Sequence, residues 1–215
     1  ELKYSLPLQQ FYSMPVSDAH RIVTRDLDTP PRLLLGPGPS NAHPRVLRAM
    51  SNRQVGHLDP TFVALMNEVQ ELLRYAWQTD NQVTIPVSGT GSAAMEAAVA
   101  NKVEPGQSVL VGCNGYFGER MVDMASRYGA VVHRMDAPWG TSFDLDTIRK
   151  AMETARPSVL GLVHAETSTG ARQPLEGVRA LCDEFDCLLV VDTVTSLAGV
   201  KLFIDEWGID AAYSG

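Results

Sequence analysis

The chain has 215 residues, 45% of them hydrophobic and 20% charged, with a formal net charge of −7 at pH 7. That is enough apolar material for one full core with an appended arm, and without a run of Lys and Arg it offers no face for a nucleic acid, so the expected partner is a small molecule. No apolar stretch reaches the ~20 residues that cross a bilayer, and the opening ELKYSLPLQQFYSMP lacks the charged-then-apolar order of a secretion signal.

Residues 1–42 are irregular and proline-rich and end in LLLGPGPSN, Leu33 to Asn41, where alternating Gly and Pro forbid both a helix and a central strand. They are expected to form an arm and a shaped loop ahead of a domain spanning 43–215. Asp59-Pro60 then supplies an N-cap and a first-turn proline. Phe62, Leu65, Met66, Val69, Leu72, Leu73 and Ala76 follow at helical spacing, which predicts a long amphipathic helix to about Trp77.

From Val83 onward short apolar runs alternate with helical segments. The runs predict strands near 83–87, 108–113, 131–135, 158–164, 187–192 and 211–214, with helices near 92–102, 117–128, 144–154 and 174–185. Such alternation makes right-handed crossovers, and so an α/β fold of three layers with a mostly parallel sheet between helices. Cys113, Cys182 and Cys187 form no CxxC pair and have apolar neighbours, as expected of reduced, buried thiols in a cytosol-like compartment. His20, His43, His57, His133 and His164 show no metal-ligand spacing, so no metal site is expected.

In open α/β sheets ligands bind beyond the carboxyl ends of the strands. The residues there are SGTGS, NGYFG, AETSTG and DTVTS. Gly89-x-Gly91-x-x-Ala94 formally satisfies a dinucleotide fingerprint, which would make the protein a nicotinamide-dependent oxidoreductase. That reading needs an acid at the end of the next strand, about 20 residues on, to hold a ribose. The strand SVLVGCNG ends instead in Cys113-Asn114-Gly115, so the glycine turn suits a smaller phosphate at a helix N-terminus. Asp192 closes the apolar run CLLVV. Burying a carboxylate there is costly without a cation or several donors. It caps a helix, joins a structural ion pair, or faces a protonated heteroaromatic nitrogen.

The motifs LLLGPGPSN, SGTGSAAMEAA, EPGQSVLVGCNGYFGER, HAETSTG, LLVVDTVTSLAG and GIDAAYSG, in this order over about 32–215, resemble the alanine–glyoxylate and serine–glyoxylate aminotransferases. These are class V enzymes of the pyridoxal-phosphate fold-type-I group. The resemblance implies pyridoxal phosphate as cofactor and amino transfer from a small amino acid, alanine or serine, to a 2-oxo acid such as glyoxylate. A sister activity of the class, such as cysteine desulfuration, is the alternative within the group.

The resemblance also implies roles. Thr90, Gly91 and Ser92 match the phosphate cradle, Phe117 the aromatic ring stacked on the pyridine, and Val194 the apolar side chain on its other face. Asp192 becomes the catalytic partner of the ring nitrogen. Thr167 matches the hydroxyl that contacts the phenolic oxygen, with Ser168 and Thr169 as neighbouring alternatives, and Tyr116 competes with Phe117 as ordinary helix-start packing. Glu166 and His164 match family positions for which a structural role is the default. Lys3, Lys102, Lys150 and Lys201 match nothing catalytic, so the family's cofactor-bound lysine is expected a few residues beyond Gly215, followed by a small domain carrying an arginine for the substrate carboxylate. A homodimer is expected, with the Gly-Pro arm and the helix after Asp59 covering the partner's site. The compartment is expected to be cytoplasmic, or peroxisomal in a eukaryote.

Overall fold

The computed structural model describes residues 27–215. The first 26 residues of the expected arm therefore lie outside the described residues. Two units, 1–35 and Gly36–Gly215, divide the chain, and every described helix and strand belongs to the second.

The elements run α1 (Pro44–Met50), α2 (Pro60–Trp77), α3 (Gly91–Lys102), β1 (Ser108–Cys113), α4 (Tyr116–Arg127) and β2 (Val131–Asp136). They continue with α5 (Leu145–Ala155), β3 (Val159–Val163), α6 (Val178–Glu184), β4 (Leu188–Asp192) and β5 (Ala211–Tyr213). Local chemistry sets the starts. Asp59 Oδ1 accepts from Thr61 N at 2.7 Å ahead of α2, and Asp144 Oδ1 accepts from Thr147 N at 2.7 Å ahead of α5.

The five strands are parallel, in the order β2-β1-β3-β4-β5. Alternation along each strand then assigns the two faces. Leu110, Leu160, Leu162, Leu189 and Val191 pack with Ile148 and Met152 of α5 and with Leu181 of α6. Val109, Val111, Val163, Val190 and Tyr213 pack with Met95 and Val99 of α3 and with Met121 and Ala125 of α4. Parallel strands covered on both faces explain why the runs are continuously apolar rather than alternating.

The structure departs from the sequence reading at three places. Residues 83–87 are not a strand: Val83, Ile85 and Val87 are exposed, and no described strand lies alongside to complete a ladder. The helix placed near 174–185 begins only at Val178, because Gly177 holds a left-handed φ of 84° that a right-handed helix does not accept. Helix α1 is only seven residues long and buries none of them, too short a stretch for its apolar spacing to mark it.

Candidate functional site

The strand order changes direction between β1 and β3, and an open sheet leaves a crevice above its carboxyl edge at that point. The segments leaving β1 and β3 are Asn114 to Phe117 and His164 to Thr167, two of the polar stretches picked out in the sequence. Asp192 stands two residues beyond Val190, so the pleat aims it at the α3/α4 face. The register pairs it with Val163 on one side and Tyr213 on the other.

Asp192 is 2% exposed. Its Oδ1 accepts from Val194 N at 2.9 Å and its Oδ2 from the Tyr213 hydroxyl at 3.0 Å. Burial nevertheless holds its carboxyl above the usual aspartate range. The two hydrogen bonds and the charge of Arg120 work in the opposite direction, and the charge of Glu166 adds to the rise. The bonds within the fold thus offset its burial only in part. Tyr213, also buried, is held well above its ordinary value by desolvation and then by Asp192, so it stays a neutral donor.

The raised value has a thermodynamic consequence. The folded ligand-free protein keeps the Asp192 proton to higher pH than the unfolded chain does, so ionising it costs stability as pH rises from about 4 through the raised value. Denaturant titrations of the ligand-free full-length protein should show Asp192→Asn gaining on the native sequence as pH rises through that window. A gap between the two that does not change with pH contradicts this origin.

Glu166, 1% exposed, is a structural anchor rather than a free acid. Its carboxylate accepts from Phe117 N at 3.1 Å and Gly118 N at 3.3 Å, and from Ser168 N at 3.1 Å and Ser168 Oγ at 2.7 Å. Helix α4 has no side-chain cap of its own, so this carboxylate from the β3 loop satisfies its first N–H groups. Phe117 is thereby fixed at the cleft, half-buried, its ring 5.5 Å from that of Tyr116 in an edge arrangement.

Helix α3 differs. Its N-cap, Thr90, makes no side-chain cap bond, and no described carboxylate bonds to its first turn, so its first N–H groups have no anionic partner among the described residues. A Cβ at Gly91 would lie 3.4 Å from Val194 Cγ2, and one at Gly215 would lie 2.6 Å from Gly91 Cα. The glycine turn thus lets the loop after β4 and the segment after β5 close directly on the helix end. Ser92, the next residue, accepts at Oγ from Arg120 Nη1 at 2.7 Å.

Thr167 and Thr195 share a hydroxyl–hydroxyl hydrogen bond that ties the loop after β3 to the loop after β4. Ser168 is committed to Glu166, and the Thr169 hydroxyl accepts from Ala171 N at 3.4 Å, which leaves Thr167 as the hydroxyl of this loop nearest the Asp192 loop. His164 is buried edge-on to Trp207 at 5.7 Å, with its Nδ1 unpaired among the described residues and its pKa lowered by burial, which suits a structural imidazole. All three cysteines are buried and free. Burial pushes the Cys113 thiol up to about 11.

Thr90, Gly91, Ser92, Phe117, Thr167, Asp192 and Val194 thus all fall at one edge of the sheet. The sequence reading passed over two residues there, Tyr213 and Arg120. Arg120 follows Tyr116 and Phe117 by four and three residues on one helix face, a spacing visible in the sequence. Tyr213 depends on the β4–β5 register, which no local pattern encodes.

Residues 33–215 match the family model described as Aminotransferase class-V. Alanine–glyoxylate aminotransferase of Rattus norvegicus is 46% identical over 193 residues, covering 90% of this chain and 47% of that protein. (S)-ureidoglycine–glyoxylate transaminase of Bacillus subtilis is 42% identical over 191 residues, covering 89% of this chain and 46% of that protein. A crystal structure of an alanine–glyoxylate aminotransferase from Nostoc sp. superposes with a TM-score of 0.91 at 64% identity, covering 94% of this chain and 53% of that one. The chain spans about half the length of the relatives it matches. The matched span holds the sheet, its polar carboxyl edge and every residue of the site, and the chain belongs to the class V aminotransferase family.

Proposed function

We propose that the full-length protein is a pyridoxal-phosphate-dependent aminotransferase that moves the amino group of a small amino acid, alanine or serine, to glyoxylate. The observation that carries this reading is Asp192: a buried carboxylate at the ligand edge of the sheet, with its charge only partly compensated. The open N-terminus of α3 beside it fits the phosphate, and the closeness of Gly91 to Val194 brings that end next to the Asp192 loop. Glyoxylate as acceptor draws support from the names of the Rattus norvegicus and Bacillus subtilis relatives.

Pyridoxal phosphate, when bound, supplies the aldehyde that carries the amino group and the ring that takes up electron density as the substrate's α-proton leaves. The residues of this chain hold and orient it. Asp192 accepts from the protonated ring nitrogen and, as an anion, keeps the proton there. Tyr213 and Val194 N hold its two oxygens in place, so the carboxylate does not swing away when the ring is absent. Phe117, locked by Glu166, and Val194, on the opposite loop, form the two walls of the ring slot. The first N–H groups of α3 and the Ser92 hydroxyl receive the phosphate, and Thr167 offers its hydroxyl to the phenolic oxygen.

An assay of the full-length protein with glyoxylate and either alanine or serine tests the reading. Glycine formation with one of these donors is expected, together with the visible absorbance that a lysine-bound pyridoxal phosphate gives and a nicotinamide does not. Absence of that absorbance and of glycine from both donors refutes it.

The same protein is proposed to act as a homodimer. Helix α2 buries none of its residues, and Val63, Leu65, Val69 and Leu72 are between 38% and 59% exposed. An apolar stripe of that length on an 18-residue helix calls for a cover, and a second copy placing its own α2 and Gly-Pro loop there is the proposed one. Sedimentation of the full-length protein at micromolar concentration should give a dimer, and a monomer contradicts it.

A further inference from the structure

Arg120 lies on α4 and is half-buried. Its guanidinium carbon sits 4.9 Å from the Tyr116 ring centroid and 5.0 Å from that of Phe117, so two aromatic faces hold it. Its Nη2 donates to the Tyr116 hydroxyl at 3.2 Å, and its Nη1 donates to Ser92 Oγ at 2.7 Å. The neighbouring arginines are neutralised locally: Arg127 pairs with Asp123 at 2.8 Å, and Arg134 with Asp136 at 2.7 Å and Glu119 at 3.5 Å. Among the described residues Arg120 makes no contact ion pair of that kind; the charge it acts on is that of Asp192, whose carboxyl pKa it lowers, and its guanidinium stands beside the first turn of α3.

Ser92 converts that charge into direction. A serine hydroxyl has one proton, and an oxygen that accepts from Arg120 turns that proton away from the guanidinium, where it is free to be donated. We propose that Arg120 is a positioning residue for the phosphate of the cofactor: by donating to Ser92 Oγ it turns the serine proton outward to the anion and adds a positive charge behind the N-terminus of α3. The ligand group is a phosphate monoester dianion, for which a helix end, a polarised hydroxyl and a nearby guanidinium are complementary. A lysine does not substitute fully, because an ammonium lacks the fork that reaches Ser92 and Tyr116 at once while staying against the two rings. This inference rests on the pyridoxal-phosphate reading above.

The test uses the full-length protein stripped of cofactor and titrated with pyridoxal phosphate and, separately, with pyridoxal, which lacks the phosphate. Arg120→Met keeps apolar contact with the two rings and removes the charge and both hydrogen bonds. It is expected to weaken pyridoxal phosphate binding about tenfold or more, the scale of a lost charge-assisted hydrogen bond, and to change pyridoxal binding less than about twofold. In a Ser92→Ala background the same substitution should cost clearly less, since the two residues act through one bond. Arg120→Lys should give a smaller loss with the same selectivity for the phosphate, and it carries the test if the methionine variant does not fold. Equal losses for both ligands, no loss, or full additivity with Ser92→Ala overturns the role of Arg120. A native protein that binds pyridoxal as tightly as pyridoxal phosphate overturns instead the reading on which it rests, and the Arg120 role with it.

Discussion

Asp192→Asn in the full-length enzyme should lower transamination at least ~100-fold, about 2.7 kcal/mol of barrier at 1.36 kcal/mol per tenfold, while the protein remains folded. The shape of the site survives the change. An asparagine oxygen still accepts from Val194 N, and its amide NH2, in the place of the oxygen that met Tyr213, donates to the Tyr213 hydroxyl oxygen. What disappears is the negative charge that favours a protonated ring nitrogen, and an unprotonated ring is a poor acceptor of electron density. The charge is also the unfavourable part of the ligand-free fold, since burial already raises the Asp192 pKa. Loss of activity with stability kept or gained at neutral pH is therefore the signature of a residue held for chemistry rather than for folding. Turnover near normal in the variant sinks the assignment.

Glu166→Ala is expected to do the reverse and strike the fold first. Its carboxylate serves donors from Phe117, Gly118 and Ser168 in a site that is 1% exposed. Hydrogen bonds to a charged group are worth roughly 1.5–3 kcal/mol each, and buried donors left unmatched add their desolvation cost. The first turn of α4 also loses its counter-anion. A destabilisation of about 3 kcal/mol or more in denaturant unfolding is expected. Phe117 loses its anchor, so cofactor affinity should fall as well. Glu166→Gln, which keeps an acceptor but points an amide N–H at converging donors, should fall between the two. One effect runs the other way: removing Glu166 lifts a like charge from Asp192 and lowers its pKa. A change below about 1 kcal/mol for the alanine variant contradicts the anchoring role.

Much of this was legible in the residues because the parallel sheet writes itself as continuous apolar runs. Leu188 to Val191 mark β4, and the single carboxylate after them marks the ligand edge. The open glycine turn of α3 was legible for a similar reason, since Gly89 and Gly91 sit where a helix pattern begins. The stretch Val83 to Val87 misled because periodicity reports apolar content and not the presence of a neighbouring strand. Tyr213 was hidden for the related reason that it reaches Asp192 only through the pairing of β4 with β5. Glu166 matched a family position, but that its carboxylate caps α4 required the order β1-β3 to bring the two loops together. Arg120 shares a helix face with Phe117, yet its contact with Ser92 joins elements 28 residues apart.

The account turns on where Asp192 points once the cofactor is present. A crystal structure of the full-length protein with pyridoxal phosphate measures this directly. The expected result is an Asp192 oxygen within about 3 Å of the ring nitrogen, the ring between Phe117 and Val194, and the phosphate at the N-terminus of α3. An Asp192 bonded only to Tyr213 and Val194, with the ring nitrogen facing another group or the phosphate held elsewhere, contradicts it.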